Sequence, residues 1–176
     1  MIVIKSEKLR YVLRFLIPLI AIPLLAFFGV TIAGEKRHLI ISLAVAVLSL
    51  LLFIAGFDKR KIGSRRMVIA AIMIALCVVG RFIPFFKPIT AITVISAVYL
   101  GSETGFLVGS LSAFISNFYF GQGPWTPFQM LAWGLIGFIG GCLGKYLKKN
   151  KPLLLIYGVI SGIAYSFIMD IWTVLG

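Results

Sequence analysis

The residues best suited to binding chemistry lie around a Gly-Gln-Gly-Pro-Trp-Thr-Pro tip at positions 121–127, where amides stand among aromatic rings. A second segment, 81–88, carries two cations among three aromatic rings. Flat side chains that stack, with a few directed donors and acceptors, are what a site for a planar organic molecule requires. The candidate ligand-binding residues are Arg81, Phe85, Lys87, Asn117, Tyr119, Gln122, Trp125, Thr126, Gln129 and Asp170.

An aromatic belt at the membrane interface is the alternative explanation for these rings, since Trp and Tyr are common at headgroup depth. A belt explains Trp125 and Tyr119. It does not explain the amides of Asn117, Gln122 and Gln129, or the glycines and prolines of the tip. A closed hairpin would also bring Asn117 and Gln129 towards each other, so the sequence favours a binding site.

Asp170 is an ionisable residue inside an otherwise apolar stretch near the end of the chain. A charge at that depth is costly unless it faces a cavity or a partner, which makes Asp170 a functional candidate. A salt bridge to Arg81 is the simpler alternative, and both roles can coexist.

Catalytic motifs are absent from the sequence. There is no nucleotide-binding loop, no paired carboxylates, no His/Glu metal spacing and no convincing Ser/Lys or Ser/His arrangement. We therefore expect no enzyme activity, no catalytic or metal-binding residues and no cofactor. Any energy from ATP must come from another chain.

The elements that position these residues are membrane helices. Between Glu103 and Lys145 the chain runs for 41 residues without a charged side chain, which is about twice the roughly 20 residues of one span. Hydrophobic residues make up 61% and charged residues 12% of the whole chain. The predicted fold class is an all-α integral membrane protein with a compact helix bundle.

Apolar length and loop signals predict about seven transmembrane helices. The predicted spans are Leu13–Ala33, Leu39–Phe57, Met67–Phe82, Pro88–Leu100, Thr104–Phe120, Thr126–Gly144 and Pro152–Leu175. The fourth offers only about a dozen residues, a length at which a tilted or re-entrant segment competes with a full span.

The basic residues predict the orientation. With the N-terminus in the cytoplasm, 13 of the 17 Lys and Arg residues lie on the inner side, as the positive-inside rule requires. The net charge of +12 is therefore explained by loops beside a lipid bilayer and does not indicate nucleic acid. A multi-pass protein of the cell membrane is expected, with the loops at 81–88 and 121–127 facing outward.

Composition divides the chain into a two-helix N-terminal extension (1–57), a basic cytoplasmic loop (58–66) and a core (67–176). Ala71 and Ala75 share one face of the third helix, and pairs or stripes of small residues recur on the last three helices. Such stripes allow close backbone approach, either within the bundle or to a partner membrane subunit.

Three segments, Ala71–Ala75, Phe85–Thr90 and above all Ser116–Met130, resemble the substrate-binding S component of energy-coupling-factor (ECF) vitamin transporters. The resemblance covers roughly Met67 to the end. It implies a six-helix protein that binds a vitamin or its precursor at the outer face. It also implies that Ala71 and Ala75 contact a transmembrane scaffold (T) subunit, which two ATPase subunits drive.

The chain departs from that family pattern by having two extra helices in front and only five after Arg66, which leads us to expect truncation at the C-terminus. The tip segment looks most like members assigned to cobalamin or its lower-ligand precursors. An α-ribazole-like nucleoside and a queuosine precursor are also compatible. A channel or structural membrane subunit is the rival function, but polar residues concentrate at the outer ends and do not line a path.

Overall fold

The computed structural model describes residues 7–33, 37–56, 63–83 and 88–175, and all regular structure in these ranges is helical. The helices are α1 (Glu7–Leu16), a π-helical turn (Ile17–Ala21), α2 (Ile22–Ala33), α3 (His38–Ala55), α4 (Gly63–Gly80), α5 (Ile89–Leu100), α6 (Ser102–Phe120), α7 (Thr126–Cys142), α8 (Gly144–Lys149) and α9 (Lys151–Leu175).

The first predicted span is one continuous rod made of α1, the π-helical turn and α2. Pro18 stands near the start of the π-helical turn. Because proline has no backbone N–H and its ring crowds the preceding turn, an α-helix interrupted there can continue through one wider turn.

Side-chain contacts show that the helices alternate in direction. At one end of the bundle, which we call the basic end, Arg66 at the start of α4 meets Thr104 near the start of α6. At the opposite end, which we call the loop end, Arg81 after α4 meets Asn117 near the end of α6. Gly80 touches Pro88 there, so α5 begins at the loop end and returns to the basic end.

Helices α6 and α7 pack backbone to backbone because glycines on the two helices face each other. A Cβ added at Gly105 would lie 2.7 Å from the carbonyl oxygen of Gly137, and one at Gly109 would lie 2.4 Å from that of Trp133. These stripes therefore serve internal packing. Gly158 and Gly162 on α9 differ, since an added Cβ at either would meet nothing within 4 Å.

At the basic end, Glu103 ties the N-terminal helices to the rest of the bundle. Its carboxylate lies 2.6 Å from Nε of Arg14 and 3.5 Å from Nη2 of Arg66. Phe15 packs edge-on against Phe138 of α7, and residues of α2 and α3 belong to the same buried core as α6 and α7. The division into an extension and a core stays a prediction.

Within the described ranges, three helical segments are long and apolar enough to cross a membrane by themselves: Tyr11–Phe28, His38–Ala55 and Lys151–Val174. The short α5 is also apolar, and it lies against α4, α6 and α7. The prediction of an all-α membrane fold is confirmed by this helical architecture together with the family match reported below.

Candidate functional site

At the loop end, a chain of hydrogen bonds joins α6, α7 and α9 to Arg81, the residue that follows α4. Nη1 of Arg81 donates to Oγ of Ser116 and, over 2.8 Å, to Oδ1 of Asn117. Asn117 is only 1% exposed, and its Nδ2 donates to Oγ1 of Thr126 at 3.0 Å and to Oε1 of Gln129 at 2.8 Å. Nε2 of Gln129 in turn donates to the hydroxyl of Tyr165 at 3.2 Å. We call these six residues the loop-end network.

Aromatic rings wall the loop-end network. Trp133 and Tyr165 stack with ring centroids 4.5 Å apart and an interplanar angle of 18°. The Arg81 guanidinium carbon lies 4.6 Å from the Phe120 ring centroid and 5.9 Å from that of Trp133, which is cation–π distance. The indole N–H of Trp133 is also hydrogen-bonded, because Nε1 donates to Oγ1 of Thr90 on α5.

The local sequence explains why these groups converge. Helix α6 ends at Phe120 because Gly121 has φ +103, a conformation that side chains other than glycine rarely adopt. A short tip follows, and α7 begins at Thr126 with a proline in its first turn. Gln129 and Trp133 are four residues apart and share a face of α7. The α6–α7 hairpin therefore presents Asn117 to Gln129.

The structure places the other candidate residues outside the loop-end network. Gln122 donates from Nε2 to the carbonyl of Phe114 at 2.9 Å. Tyr119 is exposed and its ring packs on Phe82, with centroids 4.5 Å apart. Trp125 folds back over Gly123, where an added Cβ would lie 2.2 Å from the indole.

Asp170 is exposed on α9 and forms no ion pair with Arg81, so the salt bridge considered as an alternative is not formed. It follows Tyr165 by five residues, which turns its side chain to a different face of the helix. Phe85 and Lys87 lie outside the described residues.

Sequence reasoning missed Ser116, Trp133, Tyr165 and Thr90. Trp133 carried a usable signal, because it follows Gln129 by one helical turn. No pattern in the sequence indicated Tyr165, since its approach to Gln129 depends on how α9 packs against α7.

Arg81 at the loop end forms no ion pair within the part of the chain that the structure describes. The ion pairs found among residues 7–33, 37–56, 63–83 and 88–175 both involve Glu103 at the opposite end of the bundle. Arg81 is therefore paired with neutral oxygens and aromatic faces, and a guanidinium stays charged at all ordinary pH values. Such a group suits a ligand that presents carbonyl or anionic oxygens.

The two alanines expected to meet a scaffold subunit, Ala71 and Ala75, are both exposed on α4. Both side chains are therefore accessible to a partner from outside the bundle. No group of three or more potential metal ligands occurs in the described part of the chain.

The sequence of residues 61–176 matches the model of one protein family, described as the S component of ECF-type riboflavin transporters. No curated protein and no solved structure matches the chain. S components are membrane subunits that bind a vitamin and pair with an ECF module of T and ATPase subunits. Because the match spans most of the 176 residues, the resemblance seen in the sequence is confirmed. The chain belongs to the family of ECF-type riboflavin transporter S components and is a substrate-binding membrane subunit of a transporter, not an enzyme.

Proposed function

We propose that the chain captures a planar vitamin at the loop end of the bundle for ATP-driven uptake, and that this vitamin is riboflavin. The observation that carries the proposal is the loop-end network itself. It gathers directed donors and acceptors from Arg81, Asn117, Gln129 and Tyr165 beside a stacked Trp133–Tyr165 pair. Polar groups with fixed directions beside flat rings fit a planar heterocycle that has several hydrogen-bonding positions.

Riboflavin replaces the cobalamin preference suggested by the tip sequence, because the matching family is named for riboflavin. The chemistry supports the same choice. The isoalloxazine ring is flat, bears carbonyl oxygens along one edge and can stack on an indole or phenol ring. Arg81, which has no carboxylate partner within the described ranges, would donate to such a carbonyl.

The network pairs its members with one another, so a ligand must exchange some of these hydrogen bonds for its own. Asn117 makes three of them and is fully buried, which makes it a framework residue. Gln129 and Tyr165 are only partly buried, and their groups are the easier ones to redirect towards a ligand.

The orientation belongs to the same proposal. Arg14, Arg66, Lys145 and Lys148 lie at the basic end, which the positive-inside rule assigns to the cytoplasm. The loop end would then face outward, where a vitamin arrives, and the N-terminus would be cytoplasmic. The exposed Ala71 and Ala75 would contact the scaffold subunit of the ECF module.

Flavin content of the purified protein tests the proposal. Protein produced in cells supplied with riboflavin and cobalamin should release flavin on denaturation, in an amount approaching one molecule per chain. Release of a corrinoid instead, or of neither compound, would contradict the assignment of riboflavin.

A further inference from the structure

The stacked rings of Trp133 and Tyr165 leave no room for a third ring between them. Their centroids lie 4.5 Å apart, with an interplanar angle of 18°. A flat ligand held between two rings needs about 3.5 Å on each side, so the two centroids would have to stand about 7 Å apart. The gap between Trp133 and Tyr165 must therefore widen by about 2.5 Å before it can hold a flavin.

Trp133 is fixed in the bundle. Its side chain is buried, and its Nε1 donates to Oγ1 of Thr90 on α5. Its backbone packs directly on α6, because an added Cβ at Gly109 would lie 2.4 Å from the carbonyl oxygen of Trp133. Any widening of the gap must therefore come from Tyr165 and the helix that carries it, α9.

Helix α9 is anchored near its start. The hydroxyl of Tyr157 donates to the carbonyl of Ile136 on α7 over 2.6 Å. An added Cβ at Gly140 would lie 3.1 Å from the Tyr157 ring, so this ring already lies close to the backbone of α7. Ser161, one turn later, is buried as well, and a side chain so close to the anchor would move little when α9 tilts. Tyr157 is therefore the point about which α9 can tilt.

The contacts of α9 nearer the loop end are weaker. Besides the ring stack, they include the 3.2 Å hydrogen bond from Nε2 of Gln129 to the hydroxyl of Tyr165. The rings of Phe128 and Trp172 meet with centroids 5.6 Å apart. Only 6% of the residues in Lys151–Val174 are buried, so little of this chain packs around α9 to resist a tilt away from α7.

We propose that the flat ring of the vitamin inserts between Trp133 and Tyr165, and that α9 tilts about Tyr157 to admit it. Tyr165 lies about 12 Å along the helix from Tyr157, so a tilt of about 12° opens the gap as far as required. The same movement parts Tyr165 from Gln129 and frees Nε2 of Gln129 to donate to a carbonyl oxygen of the ring.

This binding mode rests on the proposed capture of riboflavin at the loop end, and it makes Tyr165 a residue that selects for flat ligands. A gap of about 7 Å admits a single planar ring system in contact with both side chains. A corrinoid with ligands above and below its ring is too thick to enter it.

Pulsed electron paramagnetic resonance on the full chain in detergent tests the tilt, with the exposed Cys142 replaced by serine. The first spin-labelled pair is Ile115→Cys on α6 with Ile171→Cys near the loop end of α9. The control pair is Ile115→Cys with Leu155→Cys beside the anchor, and all three side chains are exposed. Saturating riboflavin should lengthen the first distance by about 2–4 Å and change the control distance by less than about 1 Å, as a tilt about Tyr157 requires.

Quenching of flavin fluorescence in the same samples separates the possible failures. Quenching without a change in the first distance would overturn the insertion and leave the proposed vitamin standing. Equal changes in both distances would mean that α9 moves as a whole, which would overturn the tilt about Tyr157. Absence of quenching would contradict the proposed vitamin, and this binding mode with it.

The association rate gives a second readout, one that a merely structural role of Tyr165 would not raise. Tyr165→Leu removes the ring and the hydroxyl that must part from Trp133 and Gln129, so riboflavin should associate about tenfold faster although its affinity falls. Tyr165→Phe keeps the ring and should associate at a rate between those of the wild type and Tyr165→Leu. Equal rates in the wild type and Tyr165→Leu would mean that the rings need not part, which would overturn the insertion.

Discussion

Asn117 and Gln129 hold each other across the α6–α7 hairpin: Nδ2 of Asn117 donates to Oε1 of Gln129 over 2.8 Å. The sequence predicted that a closed hairpin would bring these two amides together, and the structure confirms it. Their part in binding a ligand stays a prediction. The two residues differ in exposure, since Asn117 is buried and Gln129 is half-buried. We therefore expect Asn117 to act as a framework residue and Gln129 to contact the ligand.

Asn117→Ala should therefore destabilise the protein as well as weaken binding. It removes hydrogen bonds to Arg81, Thr126 and Gln129 in a buried site. Unpaired polar groups there should cost about 1–3 kcal/mol. Thermal unfolding in detergent without ligand should show a lower midpoint than in the wild type. Lys149→Ala, at an exposed side chain of the basic end, is the control and should unfold close to the wild type. An unchanged midpoint in Asn117→Ala would mean that the hydrogen bonds of Asn117 contribute little to stability.

Trp125→Ala should weaken riboflavin binding by about tenfold, the effect of losing an aromatic contact worth on the order of 1 kcal/mol or more. Trp125 is partly exposed and packs on its own loop at Gly123, so the fold should tolerate its removal. Trp172→Ala removes another indole from the loop end, one that packs on Phe128. Calorimetry should show the loss for Trp125→Ala alone. Affinities within about twofold of the wild type in both variants would identify Trp125 as part of an interfacial belt.

Leucine at Ala71 or Ala75 should abolish uptake in cells that contain the ECF module, because a branched side chain separates closely packed helices. Both alanines are exposed, so riboflavin binding to the isolated variants should be unchanged. Ala91→Leu on α5 is the matched control and should transport normally. Full uptake by Ala75→Leu would exclude this face as the contact with the scaffold.

Cysteine labelling tests the orientation. In a chain whose exposed Cys142 is replaced by serine, Ser64→Cys should react with a membrane-impermeant reagent only from the cytoplasm, and Tyr119→Cys only from outside. Both positions are exposed, at the basic end and the loop end respectively. Reaction of both from the same side would contradict the orientation and the outward site with it.

Glu103→Gln should loosen the N-terminal helices. It leaves Arg14 and Arg66 without their shared carboxylate, and removing one partner of a buried pair costs roughly 3–5 kcal/mol. Because both guanidiniums are partly exposed, we expect the free energy of unfolding to fall by an amount at or below the lower end of that range. Arg14→Gln should cost less, since Glu103 keeps Arg66. Equal unfolding midpoints of wild type and Glu103→Gln would show that this ion-pair cluster adds no stability.

The bounds of a helix were predicted most accurately where a stretch without charged residues is followed by a loop that begins with glycine. The fifth predicted span, Thr104–Phe120, ends at the same residue as α6, because Gly121 stops the helix. The sequence did not predict the π-helical turn at Pro18, since a proline inside a helix can be accommodated by several backbone conformations. The partners of Arg81 were beyond it as well. Ser116 meets Arg81, and Tyr165 meets Gln129, only through the packing of α4, α6, α7 and α9, and this packing left Asp170 on another face.

Equilibrium titration of the purified chain with riboflavin, followed by quenching of flavin fluorescence, tests the central claim most directly. We predict saturable binding of one flavin per chain that excess cobalamin does not displace. Gln129→Leu, which removes the half-buried amide between Asn117 and Tyr165, should weaken this binding by about tenfold or more. Absence of saturable quenching, displacement by cobalamin, or unchanged affinity in Gln129→Leu would contradict a riboflavin site at the loop-end network.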